Sequence, residues 1–183
     1  MSRSLAGHFL IASPHLVDRN FFRSVVLIVR HDNEHAFGFL LNRCTHVTLA
    51  DAWFDSTGEK CERTEKLRVG GPLEGPLMLI HDSPEFAESE VVPEAYIATS
   101  PEMVKKALAG DLGLALPVAG YSGWGPGQLE SELKVGGWMT LRATKELVFS
   151  HADDMWSIAS AEVAETILPR MRTRHKPIDP QMN

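Results

Sequence analysis

The sequence contains little cysteine and no apolar run long enough to cross a membrane. Its two cysteines, Cys44 and Cys61, lie 17 positions apart and form no CxxC pair, which argues against a zinc ribbon and against a disulfide framework. After Arg3, the apolar stretch Phe9–Ala12 is broken by Pro14 and is too short for a signal-peptide core. We therefore expect a cytoplasmic protein without membrane contact.

Positive charge is also scarce. The 183 residues carry a formal net charge of -6 and a pI of about 5.7, so the chain repels polyanions and direct binding to nucleic acid is not expected. The basic residues that do cluster lie in a proline-containing C-terminal stretch. A chain of this length with 44% hydrophobic residues suits one core. We predict a single domain over residues 1–169 and a basic tail over residues 170–183.

The motifs of common cofactor and metal sites are absent or misplaced. The glycines from Gly120 to Gly127 are spaced by three, two and two positions, which is not the dinucleotide fingerprint, and no P-loop lysine follows them. The segment from His31 to His35 matches H-x-x-E-H, but zinc binding by that motif needs a helix that brings both imidazoles to one face. Here an apolar strand-like run leads into an Asp-Asn turn. We expect neither a cofactor nor a metal.

Short apolar runs rich in β-branched residues predict strands in the first half of the chain. Two of these runs cover residues 8–12 and 25–29, and the second leads through a turn into a returning strand that contains Gly38. Thr48 and Ser100 precede helical patterns and are predicted helix N-caps. The pattern predicts a protein that mixes strands and helices.

The second half of the chain is predicted to contain a buried strand over Leu114–Ala119 that stops at Gly120. A glycine-rich turn from Gly120 leads to a helix predicted over Gln128–Val135. Leu147–Phe149 is predicted to be extended, and the last helix is predicted over residues 153–169, because proline ends most helices. The glycine-rich turn is the most distinctive feature of the sequence.

This turn falls one residue short of the G-x-S-x-G nucleophile elbow, with Ser122 at the serine position and Trp124 where the second glycine is expected. A serine hydrolase also needs a histidine and an acid, and the only candidates before the tail are His151 with Asp153 or Asp154. We favour a structural role for Ser122. A small hydrolase that uses this serine is the alternative.

Four ordered segments of the chain form a recognisable set. They are Phe9–Pro14 with Leu16, Asp18 and Phe21–Val26; Gly38–Arg43; Val69–Leu73; and Gly120–Leu133 with Trp138. Together they resemble the YqgE/AlgH family of small bacterial proteins over about residues 8–149. Cys44 departs from the family pattern, because a proline commonly follows the Asn-Arg pair there. Residues 36–38 also depart from it, because they lack the glycine that usually opens the Gly-Ala-x-Gly run of the family.

The resemblance implies an α+β fold with a bifurcated, partly barrel-like mixed β-sheet surrounded by helices. It implies little chemistry, because members of the family are described as uncharacterised or as candidate transcriptional regulators. No catalytic residue is carried over, because the family has none established.

These observations favour a non-catalytic binding or regulatory protein that acts on transcription indirectly. Its partner is expected to be a small molecule or a protein of unknown identity. The predicted binding residues are Asn42, Arg43, Gly70, Gly71, Tyr121, Trp124 and Gln128.

Overall fold

The structure, a computed structural model, describes residues 4–174, with side chains described as far as residue 166. Within these residues the strands are β1 (His8–Ala12), β2 (Val25–His31), β3 (Ala36–Leu40), β4 (Cys44–Thr48), β5 (Lys66–Val69), β6 (Leu73–His81), β7 (Ser89–Val92), β8 (Ala95–Ala98), β9 (Ala115–Trp124) and β10 (Trp138–Arg142). The α-helices are α1 (Leu49–Thr57), α2 (Pro101–Ala109), α3 (Gln128–Lys134), α4 (Lys145–Val148) and α5 (Ala152–Arg174), and Pro84–Phe86 forms a 3-10 turn. Residues 175–183 of the predicted basic tail lie outside the described residues.

The strands form one branched sheet. Its main path runs in the order β10-β1-β2-β3-β9-β6-β8-β7, while β5 joins β9 and β4 joins β5. The pairs are antiparallel except for β5 with β9, which is parallel. The sheet curls into a half-barrel with helices around it. The α+β fold with a bifurcated, partly barrel-like mixed sheet is therefore confirmed.

The sheet branches along β9. The first part of β9, residues 115–119, pairs with β6 on one edge and with β5 on the other, where Arg68 lies opposite Val118. The last part pairs with β3, where Ala36 lies opposite Trp124. Strands β5 and β3 therefore follow one another along the same edge of β9.

Gly70, directly after β5, ties the two branches together. Its N–H donates to the carbonyl of Ala119 at 2.8 Å, and its carbonyl accepts the N–H of Leu40 at 2.7 Å. The same carbonyl accepts the hydroxyl of Ser122 at 3.2 Å. One residue thus connects β5, β3 and β9, and all three hydrogen bonds lie in the interior, where an unpaired backbone group would be costly.

The predicted strand end at Gly120 is wrong. Strand β9 continues through this position to Trp124, because Gly120 has a φ of +74°, which turns the strand from one branch to the other without ending it. The glycine-rich turn shortens to residues 125–127, and α3 begins at Gln128 as predicted. Most of the predicted turn is therefore the end of a central strand.

Two other predictions for the second half need correction. Leu147 and Val148 lie in α4 and not in a strand, because the hydroxyl of Thr144 accepts the N–H of Leu147 and starts a helical turn. A three-residue apolar run does not distinguish the two structures. Helix α5 continues past Pro169 to Arg174, since a proline removes one helical hydrogen bond but does not force the chain to leave the helix.

Clusters of buried apolar side chains join the helices to the sheet. Strand β2 supplies two of these cores, with Val25 and Leu27 in the first and Val26 and Ile28 in the second. Both faces of this strand are covered, which explains why the run is apolar at every position from 25 to 29. The helical residues that cover the first core are Leu147, Val148, Met155, Ala159 and Val163, and those that cover the second are Leu129 and Leu133. A third core lies between β6 and the helices α1 and α2, which contribute Leu49, Trp53, Val104 and Ala107.

The close approach at Gly70 predicts a large cost for any side chain there. A Cβ added at Gly70 would lie 2.2 Å from the carbonyl oxygen of Gly120, so Gly70→Ala is expected to destabilise the fold by about 3 kcal/mol. The matched control is Gly125→Ala, because a Cβ there meets no atom of the described residues within 4 Å and should change stability by less than about 0.5 kcal/mol. Urea unfolding of the two variants measures the difference. Equal midpoints would contradict the tight packing at the branch.

A carboxylate clamp at the start of α2 predicts a pH-dependent contribution to stability. Glu88 accepts hydrogen bonds from the hydroxyls and backbone N–H groups of Thr99 and Ser100. Burial alone would raise the pKa of Glu88, but these hydrogen bonds outweigh it and lower the pKa from 4.5 to about 2. Because the pKa of Glu88 is lower in the folded chain than in the unfolded chain, its contribution to the stability of the folded state is full above pH 4.5 and is lost as the pH falls through about 2.

The variant Glu88→Gln is therefore expected to lose about 1 kcal/mol at pH 7, a figure kept small because the carboxylate is exposed to solvent. The difference from the parent should shrink as the pH is lowered from 5 towards 2. Thermal melts over this pH range measure it, with Glu62→Gln as a control for the loss of one exposed charge. If the stability difference between Glu88→Gln and the parent does not change with pH, the hydrogen bonds from Thr99 and Ser100 to the Glu88 carboxylate do not stabilise the fold as stated.

Candidate functional site

A shallow cleft of about 420 Å³ opens at the branch of the sheet. It is lined by Val69, Gly71, Pro72, Leu73, Glu74, Gly75, Ala119 and Gly120, and we call it the branch cleft. Two apolar side chains on its walls face solvent, since Val69 is 47% and Leu73 is 43% exposed. Apolar side chains grouped at the rim of a concave surface are typical of contact sites.

Backbone forms the floor of the branch cleft. A Cβ added at Gly71 would lie 2.2 Å from the carbonyl oxygen of Tyr121, so no larger residue fits below the cleft. Opposite this position β6 bulges, because the register with β9 shifts between Leu73 and Leu77. Bulges commonly occur beside binding sites, where they redirect side chains. The cleft therefore has a closely packed base and exposed apolar walls.

Asn42 and Arg43 hold the chain segment before β2. The amide of Asn42 donates to the carbonyl of Arg23 at 2.8 Å and accepts the N–H of Val25 at 2.9 Å. Arg43 donates to the carbonyl of Phe22, and its own carbonyl accepts the N–H of Val69 at 2.9 Å. Both residues thus lie between that segment and the strand that lines the branch cleft.

Tyr121 and Trp124 lie on opposite faces of the sheet. Three positions separate them along one strand, so their side chains point in opposite directions. Tyr121 packs against Phe37 with ring centroids 5.2 Å apart, beside the first core. Trp124 is 4% exposed and belongs to the second core. The seven predicted residues therefore lie in three groups, namely Asn42 with Arg43; Gly70, Gly71 and Tyr121; and Trp124 with Gln128.

A single carboxylate organises the aromatic side chains of the second core. One carboxylate oxygen of Glu132 accepts the indole N–H of Trp124 at 3.0 Å and that of Trp138 at 2.8 Å. The other oxygen accepts the amide of Gln128 at 2.9 Å. Phe21 packs edge-on against Trp138 with centroids 5.2 Å apart. The amphipathic residues of the predicted turn are therefore held by hydrogen bonds within the fold.

Ser122 lacks the surroundings of a nucleophile. It is fully buried and its hydroxyl donates to the carbonyl of Gly70 at 3.2 Å. His151, the proposed base, is exposed and lies just before α5. A nucleophile needs both a base in reach and access for the substrate. The hydrolase alternative is therefore not supported.

The histidines of the H-x-x-E-H segment have different partners. His31 is buried at the end of β2; its Nδ1 accepts the N–H of Leu5 at 3.0 Å, and its Nε2 lies 2.9 Å from a carboxylate oxygen of Glu130. His35 pairs with Asp32 in the adjoining turn at 3.1 Å. Among the residues described, no group of three or more histidine, cysteine, aspartate or glutamate side chains is arranged to hold a metal ion.

The sequence patterns missed two buried polar residues. Alternation in β5 places Lys66 and Arg68 together on one face, but Arg68 is only 7% exposed while its apolar neighbour Val69 is open to solvent. His81 continues the buried end of β6, and neither of its ring nitrogens makes a hydrogen bond to any part of the chain that the structure describes. Burial lowers the pKa of His81, opposed in part by nearby backbone groups and by Asp82. Only the position of His81 directly after an apolar run indicated burial.

The fold and the contacts define a class of α+β protein with a branched half-barrel sheet and a cleft at the branch. A family model described as AlgH-like matches residues 9–167. The chain therefore belongs to the AlgH-like family. Within the part of the chain that the structure covers, no helix is long and apolar enough to cross a membrane.

Relatives with similar sequences extend over most of the chain. A UPF0301 protein of Stenotrophomonas maltophilia (strain R551-3) is 36% identical over 168 residues, which is 87% of this chain and 89% of the relative. A UPF0301 protein of Myxococcus xanthus is 35% identical over 153 residues, covering 81% and 84%.

Solved structures share the fold. The solution structure of the AlgH protein from Pseudomonas aeruginosa matches 90% of this chain and 93% of its own, with a TM-score of 0.75 and 28% identity. A protein from Corynebacterium diphtheriae matches 86% of each chain with a TM-score of 0.70 and 21% identity, which indicates likeness of fold alone.

The shared carboxylate of Glu132 predicts an asymmetry between two substitutions. Glu132→Ala leaves two indole N–H groups without their acceptor and should destabilise the fold by about 3 kcal/mol. Glu132→Gln keeps one oxygen that can accept both, and it should cost about 1 kcal/mol. Urea unfolding followed by tryptophan fluorescence compares the two variants. If both lose the same stability, the hydrogen bonds to Trp124 and Trp138 are not what holds this cluster.

Proposed function

We propose that the chain is a non-catalytic binding protein of the cytoplasm, and that it regulates transcription indirectly through a small-molecule or protein partner at the branch cleft. The observation that carries this proposal is the contrast between two neighbouring positions. Leu73 is open to solvent on the cleft wall, whereas Ser122, which a hydrolase would use, is sealed in the sheet.

The predicted binding residues support the cleft in different ways under this proposal. Gly70 and Gly71 bring β5 and β9 close enough to form the floor, and Asn42 and Arg43 fix the chain on the far side of Val69. Tyr121 pairs with Leu73 across the sheet. Trp124 and Gln128 anchor the end of β9 from the other face. The partner would then contact Val69 and Leu73, with the packed glycines keeping the surface rigid.

Direct contact with DNA is a less suitable route to regulation. The chain carries a net charge of -6, and the described residues that line the cleft contribute the carboxylate of Glu74 and no cation. A duplex attracts basic surfaces, and its binding weakens steeply with salt. We expect the purified chain to show no such salt-dependent binding to duplex DNA.

The test uses cells of the source organism that lack the chromosomal copy. We expect the deletion to change the transcript profile and the parent chain to restore it, whereas Leu73→Glu should fail to restore it because a buried contact would acquire an unpaired charge. The matched control is Leu114→Glu, because Leu114 is 52% exposed outside the cleft and its variant should restore the profile. Thermal melts establish that both variants fold.

Two results would contradict the proposal. One is full restoration by a folded Leu73→Glu chain, which would remove the branch cleft as the contact surface. The other is duplex binding by the purified parent chain that falls steeply between low and moderate salt, which would replace indirect regulation by direct DNA binding.

A further inference from the structure

Arg68 is a buried cation that has no anionic partner among the residues that the structure describes. It is 7% exposed, its Nη1 nitrogen is shielded from solvent without a hydrogen-bond partner, and none of the ion pairs found among the described residues includes it. Along β5 it lies between two positions that are more exposed, Leu67 and Val69. The strand therefore places a guanidinium where its pattern would favour an apolar residue.

Such a burial is costly unless a negative group compensates for it. A charged side chain that leaves water without a partner destabilises the folded state. Burial lowers the pKa of the Arg68 guanidinium, and the one opposing influence is the thiol of Cys44, which raises it. An anion next to Arg68 would remove the penalty, and the residue that the sheet places opposite Arg68 is Cys44.

The strand register places Cys44 directly opposite Arg68. The two residues are partners in the antiparallel pair of β4 and β5, so their side chains share one face with Cβ atoms about 4.5–5.5 Å apart. Among the described strands β4 pairs only with β5, and Cys44 is a free and exposed cysteine. Small reagents can therefore reach the thiol from solvent while Arg68 lies beside it on the inner side.

The second cysteine has a different environment. Cys61 is partly buried, and two of the three cations that line the same pocket have carboxylate partners, since Arg63 pairs with Glu65 and Lys105 pairs with Glu59, while the third, Lys60, is exposed to solvent. A new negative charge at Cys61 would compete with those carboxylates. Cys61 is therefore an internal control within the same chain.

We propose that Cys44 is a peroxide-reactive thiol whose anionic oxidation products are held by Arg68. The inference does not depend on what the branch cleft binds.

The reaction with hydrogen peroxide balances without any other reactant. The sulfur of Cys44 attacks one peroxide oxygen, an S–O bond forms, and the O–O bond breaks. The leaving hydroxide takes up the thiol proton as water, so that sulfur is oxidised by two electrons and the peroxide is reduced by two. A second peroxide converts the sulfenic acid to a sulfinic acid and another water. The sulfinate is negatively charged at neutral pH and supplies the anion that Arg68 lacks.

The test treats the full chain with hydrogen peroxide and measures sulfenic acid at each cysteine with a dimedone-type trap and peptide mass spectrometry. Cys44 is expected to react about tenfold faster than Cys61, and Arg68→Met should slow Cys44 by about tenfold without changing Cys61. The matched control Arg142→Met removes an exposed arginine on another strand and should leave both rates unchanged. Arg68→Met should fold, because replacing an unpaired buried charge by an apolar side chain is neutral or stabilising.

A second measurement separates a specific ion pair from general reactivity. Oxidation of Cys44 to the sulfinate should raise the thermal midpoint of the parent chain more than that of Arg68→Met, since only the parent has the guanidinium to pair with it. Equal peroxide rates at the two cysteines would overturn the proposal. So would an unchanged Cys44 rate in Arg68→Met, or equal shifts of the midpoint in the two chains.

Discussion

The structure depends on the hydrogen bonds of one residue at the point where the sheet divides. Gly70 donates to Ala119 and accepts from Leu40 and Ser122, so its two peptide groups join three strands. The backbones approach too closely there for any side chain. Gly120 accommodates the same crossing with its positive φ, which lets one strand serve both branches. Elements before and after this point are fixed relative to each other because they share β9.

One face of the sheet at the branch carries an open cleft, and the other face carries a buried aromatic cluster. On one side, backbone approach leaves a cleft whose walls are Val69 and Leu73. On the other, the indole groups of Trp124 and Trp138 share the carboxylate of Glu132, which anchors the end of β9 in the second core. A rigid frame of this kind lowers the conformational entropy that a binding surface must lose when its partner docks.

Sequence patterns predicted most elements, because apolar runs and helix caps are local signals, whereas the fold class followed from the resemblance to the YqgE/AlgH family. Strand β2 and the caps at Thr48 and Ser100 are examples. The continuation of β9 through Gly120 could not be predicted, since it depends on strands distant in sequence that pair with it. Strand β5 buries Arg68 and exposes Val69, which is the reverse of what their polarity predicts. This also depends on strands distant in sequence, because the branch decides which face of β5 is covered. For the candidate site, the sequence indicated Gly70 and Gly71 but not the exposed walls between which they lie.

Amide hydrogen exchange tests the branch most directly. The N–H groups of Leu40 and Gly70 bridge the strands at the division of the sheet, so both should exchange only through global unfolding, with the same free energy as the N–H groups in the middle of β2. Exchange of either group at a much lower free energy, close to that of the Gly125 amide in the surface turn, would show that the branch opens locally. That result would contradict the account.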